Sequence, residues 1–134
     1  MIAATVEQEV DTEAWNARVR VFPGGSIFQT TYWASYYTAY LGAQPHYLFL
    51  RDGKDIIGQL LILEMLRGHE ALLGRARASL ERLCSPLLKI FTWREGPLLA
   101  DSCPPDEALQ TCLRAVVDLA RKRDVTDIEE VSIP

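Results

Sequence analysis

The chain has 134 residues, with 14 basic against 18 acidic side chains and a net charge of -4. Apolar residues make up 49% and charged ones 24%, a composition that fits one globular domain and excludes an intrinsically disordered chain. The acidic balance argues against DNA as a partner, and the longest apolar run, Ile56 to Leu66, carries Gln59 and Glu64 and is too short to span a membrane.

The N-terminal ten residues have neither a basic nor an apolar leader region, so no secretory signal is expected. The cysteines, Cys84, Cys103 and Cys112, are odd in number and without a CxxC pair, which points to reduced thiols and a cytoplasmic setting. Asp11-Thr12-Glu13 before Trp15, Val19 and Phe22 predicts a capped amphipathic helix stopped by Pro23-Gly24-Gly25. Thr30 or Thr31 then caps a second helix, ended by Gly42, whose aromatic residues at 33, 36, 37 and 40 follow helical spacing.

A hairpin follows: His46 to Arg51 and Asp55 to Met65 are apolar strands around the turn residues Asp52-Gly53-Lys54. Tyr47 to Leu50 show little alternation, so this strand is expected to be covered on both faces. Ile90 to Trp93 predict a third strand, with Gly96-Pro97 bending the chain before Leu98-Leu99. Pro104 to Glu107 open a helix whose apolar stripe is read as Leu109, Cys112, Leu113, Val116, Val117 and Ala120, with Arg121 to Arg123 at its negative end. Ile128, Val131 and Ile133 suggest a closing strand.

The order helix, helix, strand, strand, strand, helix, strand predicts an α/β (α+β) fold, a mixed sheet flanked by helices. Residues 1–134 are read as a single domain with a basic amphipathic insertion at about 67–89. That insertion holds Arg67, Arg75, Arg77, Arg82 and Lys89 against Glu70 and Glu81, so it is +3 inside a body of -7. Its leucines recur at helical spacing. They either pack on the domain or make a face for a partner or for weak contact with an anionic membrane surface.

Four stretches in order resemble the FemAB-like aminoacyl and acyl transferases. Ile27-Phe28-Gln29-Thr30-Thr31-Tyr32-Trp33 is similar to their QS-x-x-W segment, and Asp52-Gly53-Lys54-Asp55-Ile56-Ile57-Gly58 to their first hairpin. Thr92 to Leu99 resembles their strand end with Arg-Gly-Pro, and Glu130-Val131-Ser132-Ile133-Pro134 their following strand. The resemblance implies a GNAT-like (N-acetyltransferase) fold. It also implies a reaction in which an acceptor amine attacks an activated acyl carbon, with an acyl or aminoacyl donor. Many such proteins extend the peptide of a lipid-linked cell-wall precursor, and others act on polysaccharide or lipid-linked acceptors. On this resemblance the chain is the N-terminal part of the domain. It would contribute acceptor binding, be incomplete for catalysis alone, and pair with a missing C-terminal half or with a second copy. The alternative is a non-catalytic dimerising module.

The residues the resemblance singles out are Gln29, Tyr32, Trp33 and Tyr36 for the acceptor groove and Arg94 for a carboxylate or phosphate. Asp101, the first acidic residue after Gly96-Pro97, is the candidate for proton transfer. Structural alternatives are Trp33, Tyr36 and Tyr37 as the core face of their helix, Arg94 paired with Glu95 or a neighbour, and Asp101 or Ser102 as a helix cap. The GNAT phosphate loop is absent, and no cofactor is expected. No metal is expected either, because His46 and His69 lack ligand-type neighbours. Cys84 and Cys112 read as core thiols and Cys103, beside two prolines, as exposed.

Overall fold

The apolar run after Asp52 is long enough to form the centre of a sheet, and it does. In the computed structural model, which describes residues 1–66 and 89–131, β2 (Gln44–Asp52) and β3 (Asp55–Leu66) form an antiparallel hairpin. Its turn is closed by Gly53 at φ +60. A β-branched residue would be strained in that conformation. β1 (Ile2–Glu7) pairs antiparallel with β2, and β4 (Lys89–Arg94) with β3. β6 (Asp127–Val131) lies parallel to β4, which requires the crossover through helix α3 (Pro105–Lys122). The strand order is therefore β1-β2-β3-β4-β6, and the two-residue β5 (Leu98–Leu99) also pairs with β3, further along that strand than β4.

Side chains alternate across this sheet into two cores. Leu48, Leu50, Leu60, Ile62, Phe91 and Trp93 face α3, which packs over β1 and β2. Tyr47, Phe49, Leu61 and Leu63 face α1 (Thr12–Val21) and α2 (Thr31–Leu41). The lack of alternation in β2 is thus the consequence of cover on both faces, as expected. The mixed α/β architecture is also as expected. Among the described residues no helix is long and apolar enough to cross a membrane.

The caps follow the local rules. The Asp11 carboxylate accepts from the Ala14 N–H at 2.7 Å, the Thr30 hydroxyl from the Trp33 N–H at 3.2 Å, and Gly42 ends α2 in the left-handed region.

Four details differ from expectation. β1 was not anticipated: Ile2, Ala4 and Val6 turn inward and Ala3, Thr5 and Glu7 outward, but an alanine-rich edge strand carries a weak period-two signal. The stripe by which α3 meets the sheet is Ala108, Cys112, Val116 and Ala120, whereas Leu109, Leu113 and Val117 face outward. Cys103 is buried, not exposed, because the chain turns it under α3 beside Trp93 and Ala108. Neither Asp101 nor Ser102 caps α3, which starts at Pro105 with Pro104 as N-cap. The basic segment at 67–88, including Cys84 and His69, lies outside the described residues, as does Ile133.

Candidate functional site

The site is organised by an interruption in the sheet. β3 pairs with β4 only as far as Leu63 opposite Thr92, and with β5 from Gln59 opposite Leu98. Between them the Leu61 N–H has no ladder acceptor, and a buried backbone donor left unpaired would cost about 1–3 kcal/mol. Gln29 fills the gap. It ends a 3-10 turn (Ile27–Gln29), its Oε1 accepts from Leu61 N at 2.8 Å, and its Nε2 donates to the Arg94 carbonyl at 2.7 Å. The Gln29 carbonyl in turn accepts from the Trp15 indole N–H at 2.7 Å. Gly96 passes so close that an added Cβ would sit 3.0 Å from Leu60 Cδ1 and 3.4 Å from the Gln29 amide.

Further buried polar pairs hold α1 to this frame. Asn16 Nδ2 donates to the Thr31 hydroxyl at 2.8 Å and its Oδ1 accepts from the Thr31 N–H. Gln59 joins α1 to β3: its Oε1 accepts from Arg18 Nε at 2.8 Å and its Nε2 donates to the Trp15 carbonyl. Burial, together with nearby Arg51, lowers the Arg18 pKa.

With Arg94 O tied to Gln29, the Arg94 side chain lies on the α2 side of the sheet. Its guanidinium carbon sits 5.1 Å from the Phe28 ring centroid and 5.9 Å from that of Trp33. Cation–π contact of this kind contributes about 0.5–2 kcal/mol and holds the guanidinium beside the two rings. Among the described residues Arg94 has no ion pair, with Glu95 or otherwise, so its donors remain free for a ligand. Trp33 stacks on Tyr36 at 5.7 Å and Tyr36 lies 4.8 Å from Tyr40. Tyr36 and Tyr40 are exposed; the core face of α2 is Thr31 and Ala34, with Trp33 and Tyr37 partly buried against the same core. A narrow cleft of about 20 Å³ opens between Trp33, Tyr37, Leu63 and Arg94.

The structure therefore brings Trp33, Tyr36 and Arg94 together, with Phe28, Tyr37 and Tyr40 added. Gln29 stands behind them, fully buried, its amide spent on backbone groups. Tyr32 points away, toward a wider hollow of about 570 Å³ lined by the Val21–Ile27 loop. Asp101 is exposed and follows Ala100, whose N–H donates to Ile57 O. That places it toward the hairpin end, about 13 Å along β3 from Leu61 at the usual strand rise. It is not part of the Arg94 cluster.

A second polar cluster was not foreseen. His46 and Glu64 are both buried on the α3 face, 2.7 Å apart. Arg123 reaches the same carboxylate through Nε at 2.9 Å and its terminal nitrogen at 3.1 Å, and also donates to Gln44. Lys89 stands 3.5 Å from Glu64. Burial alone would raise the Glu64 pKa. Hydrogen bonds from His46 and Arg123, and the charges behind them, override it and hold the group at about 2. The only signal in the sequence is a glutamate inside an apolar run.

A GNAT-like fold also raises the question of coenzyme A. The first turn of α3 carries Asp106 and Glu107, Pro105 has no N–H, and Glu107 accepts from Ile2 N at 3.2 Å. Two carboxylates and a missing donor do not fit a pyrophosphate there. Among the described residues no group of three or more His, Cys, Asp or Glu side chains could hold a metal.

No protein-family model and no curated protein matches this sequence. Solved structures do match its fold. A crystal structure of FemX superposes with a TM-score of 0.64 at 16% identity, covering 94% of this chain and 26% of that one. The ribosomal-protein-alanine N-acetyltransferase of Brucella melitensis biovar Abortus 2308 gives a TM-score of 0.57 at 10% identity, covering 99% of this chain and 82% of that one. The chain thus spans about a quarter of the FemX chain, and it shares the fold of these two structures.

Proposed function

We propose that this chain contributes acceptor recognition to the transfer of an acyl or aminoacyl group onto an amine. The observation that carries the reading is the Arg94 guanidinium, unpaired among the described residues and within cation–π distance of both Phe28 and Trp33, whose rings meet edge-on, beside an exposed tyrosine pair. A planar cation held this way suits a carboxylate or phosphate on the acceptor, gripped through two parallel N–H donors. The aromatic faces suit the apolar part of the same molecule. Anchoring the acceptor by its anionic group would leave its amine free to approach an activated acyl carbon, and such positioning is a large part of catalysis in this reaction class. The acyltransferase fold supports the reaction type. A peptide of a cell-wall precursor, or a polysaccharide- or lipid-linked amine, is the acceptor class we favour.

The test is a titration of the isotope-labelled chain with a short lysine-bearing peptide that ends in a free carboxylate, followed by NMR at the Trp33 indole N–H. Saturable shifts are expected at Trp33 and Tyr36, weakened at least tenfold by Arg94→Met and by amidating the peptide terminus. Shifts confined to other tryptophans, or binding indifferent to Arg94→Met in a chain that remains folded, would overturn the reading.

A further inference from the structure

Helix α3 has more apolar surface than the sheet uses. Ala108, Cys112, Val116 and Ala120 meet the sheet, while Leu109, Leu113 and Val117 stand outside it, 40%, 56% and 38% exposed. These three are spaced four residues apart, so they form one continuous ridge on an otherwise charged helix. Contiguous large apolar side chains facing solvent mark contact surfaces more often than isolated ones do.

The charges around the ridge say what would cover it. The first turn of α3 is acidic, with Asp106 and Glu107, and the last is basic, with Arg121 and Lys122. Asp106 lies seven residues before Leu113 and eleven before Val117, hence on the side of the helix that carries the ridge. Among the described residues Asp106 has no ion pair, and Arg121 has only an exposed one with Asp118. The pattern acid, Leu109, Leu113, Val117, base reads the same way against itself when reversed. Turned end for end about Leu113, it sets Leu113 against Leu113, Leu109 against Val117, and Asp106 beside Arg121, which continues the four-residue row of the ridge. A parallel arrangement would instead oppose like charges and align the two helix dipoles unfavourably.

We infer that α3 packs antiparallel on α3 of a second copy of this chain, about a two-fold axis at Leu113. This is an isologous contact, in which the same patch serves both partners. It lies on the opposite face of the sheet from Arg94 and does not depend on the acceptor reading. Three residues a side make a small interface, so the dimer is a weak one, favoured by low salt because its rim is ionic.

Sedimentation velocity on the chain from 5 to about 500 μM at low salt tests this. A concentration-dependent monomer–dimer equilibrium is expected. Leu113→Glu, which sets two carboxylates on the axis, should weaken it at least a hundredfold. Because Leu113 is exposed, the circular-dichroism melting curve measured at monomeric concentration should not move. Asp106→Lys should weaken the dimer, and adding Arg121→Glu should restore it. Under mild oxidation Leu113→Cys should form a cross-linked dimer that the unsubstituted chain does not. A strictly monomeric chain across the range overturns the inference. So does a dimer that Leu113→Glu leaves intact.

Discussion

Glu64 is the group whose removal the structure predicts most sharply. Its carboxylate is buried on the α3 face and receives hydrogen bonds from His46 and Arg123, with Lys89 close by. Against an ordinary value of 4.5, the folded pKa is about 2. A difference of about 2.5 units corresponds to about 3 kcal/mol of stability at neutral pH. Because the folded pKa is the lower one, that contribution is complete above the unfolded value. It drains away as pH falls from about 4.5 toward 2, and about 1 kcal/mol is left at pH 3. Glu64→Gln keeps the shape and removes the charge. Urea unfolding followed by tryptophan fluorescence, at pH 7, 4 and 3, should show the natural chain more stable than the variant by about 3 kcal/mol at pH 7, with the gap closing in acid. The other carboxylates titrate in both chains and cancel in the difference. A gap below about 1 kcal/mol at pH 7, or one independent of pH, would refute the assignment of Glu64 as the charged centre of this cluster.

Three further measurements bear on the frame around the site. Gln29→Leu leaves Leu61 N and Arg94 O without partners and should cost about 2–4 kcal/mol in urea unfolding, with hydrogen exchange at Leu61 accelerated. Asp11→Ala removes the α1 cap and should cost about 1 kcal/mol without altering the Trp33 environment. Cys112, whose thiol burial pushes up to about 12, and Cys103, raised by burial and by Glu107 and Asp52, should react with a disulfide reagent at pH 8 no faster than the chain unfolds. Peptide mapping of the labelled thiols checks this, and rapid modification of Cys112 in the native chain would contradict its place under α3.

The local elements were legible because short-range chemistry decides them. Asp11, Thr30 and Gly42 act at the helix ends where their residue types have a function, and Asp52 to Lys54 turn the hairpin. The aromatic spacing of α2 was equally plain, but not which way it faced. Periodicity identifies a stripe and not its cover, so Tyr36 and Tyr40 could be core or rim. In α3 the same ambiguity puts Leu109, Leu113 and Val117 in the expected core stripe, when Ala108, one position before Leu109, joins Cys112, Val116 and Ala120 in the face that meets the sheet.

What the sequence by itself determined was a mixed α/β sheet, its hairpin and the caps of α1 and α2. Only the tertiary structure decided what the polar residues do. Gln29 serves a strand gap 32 residues away and a carbonyl 65 residues away, and Arg123 neutralises a carboxylate 59 residues earlier. Such roles arise because buried polar groups must find partners wherever the fold leaves them, and that requirement has no local signature.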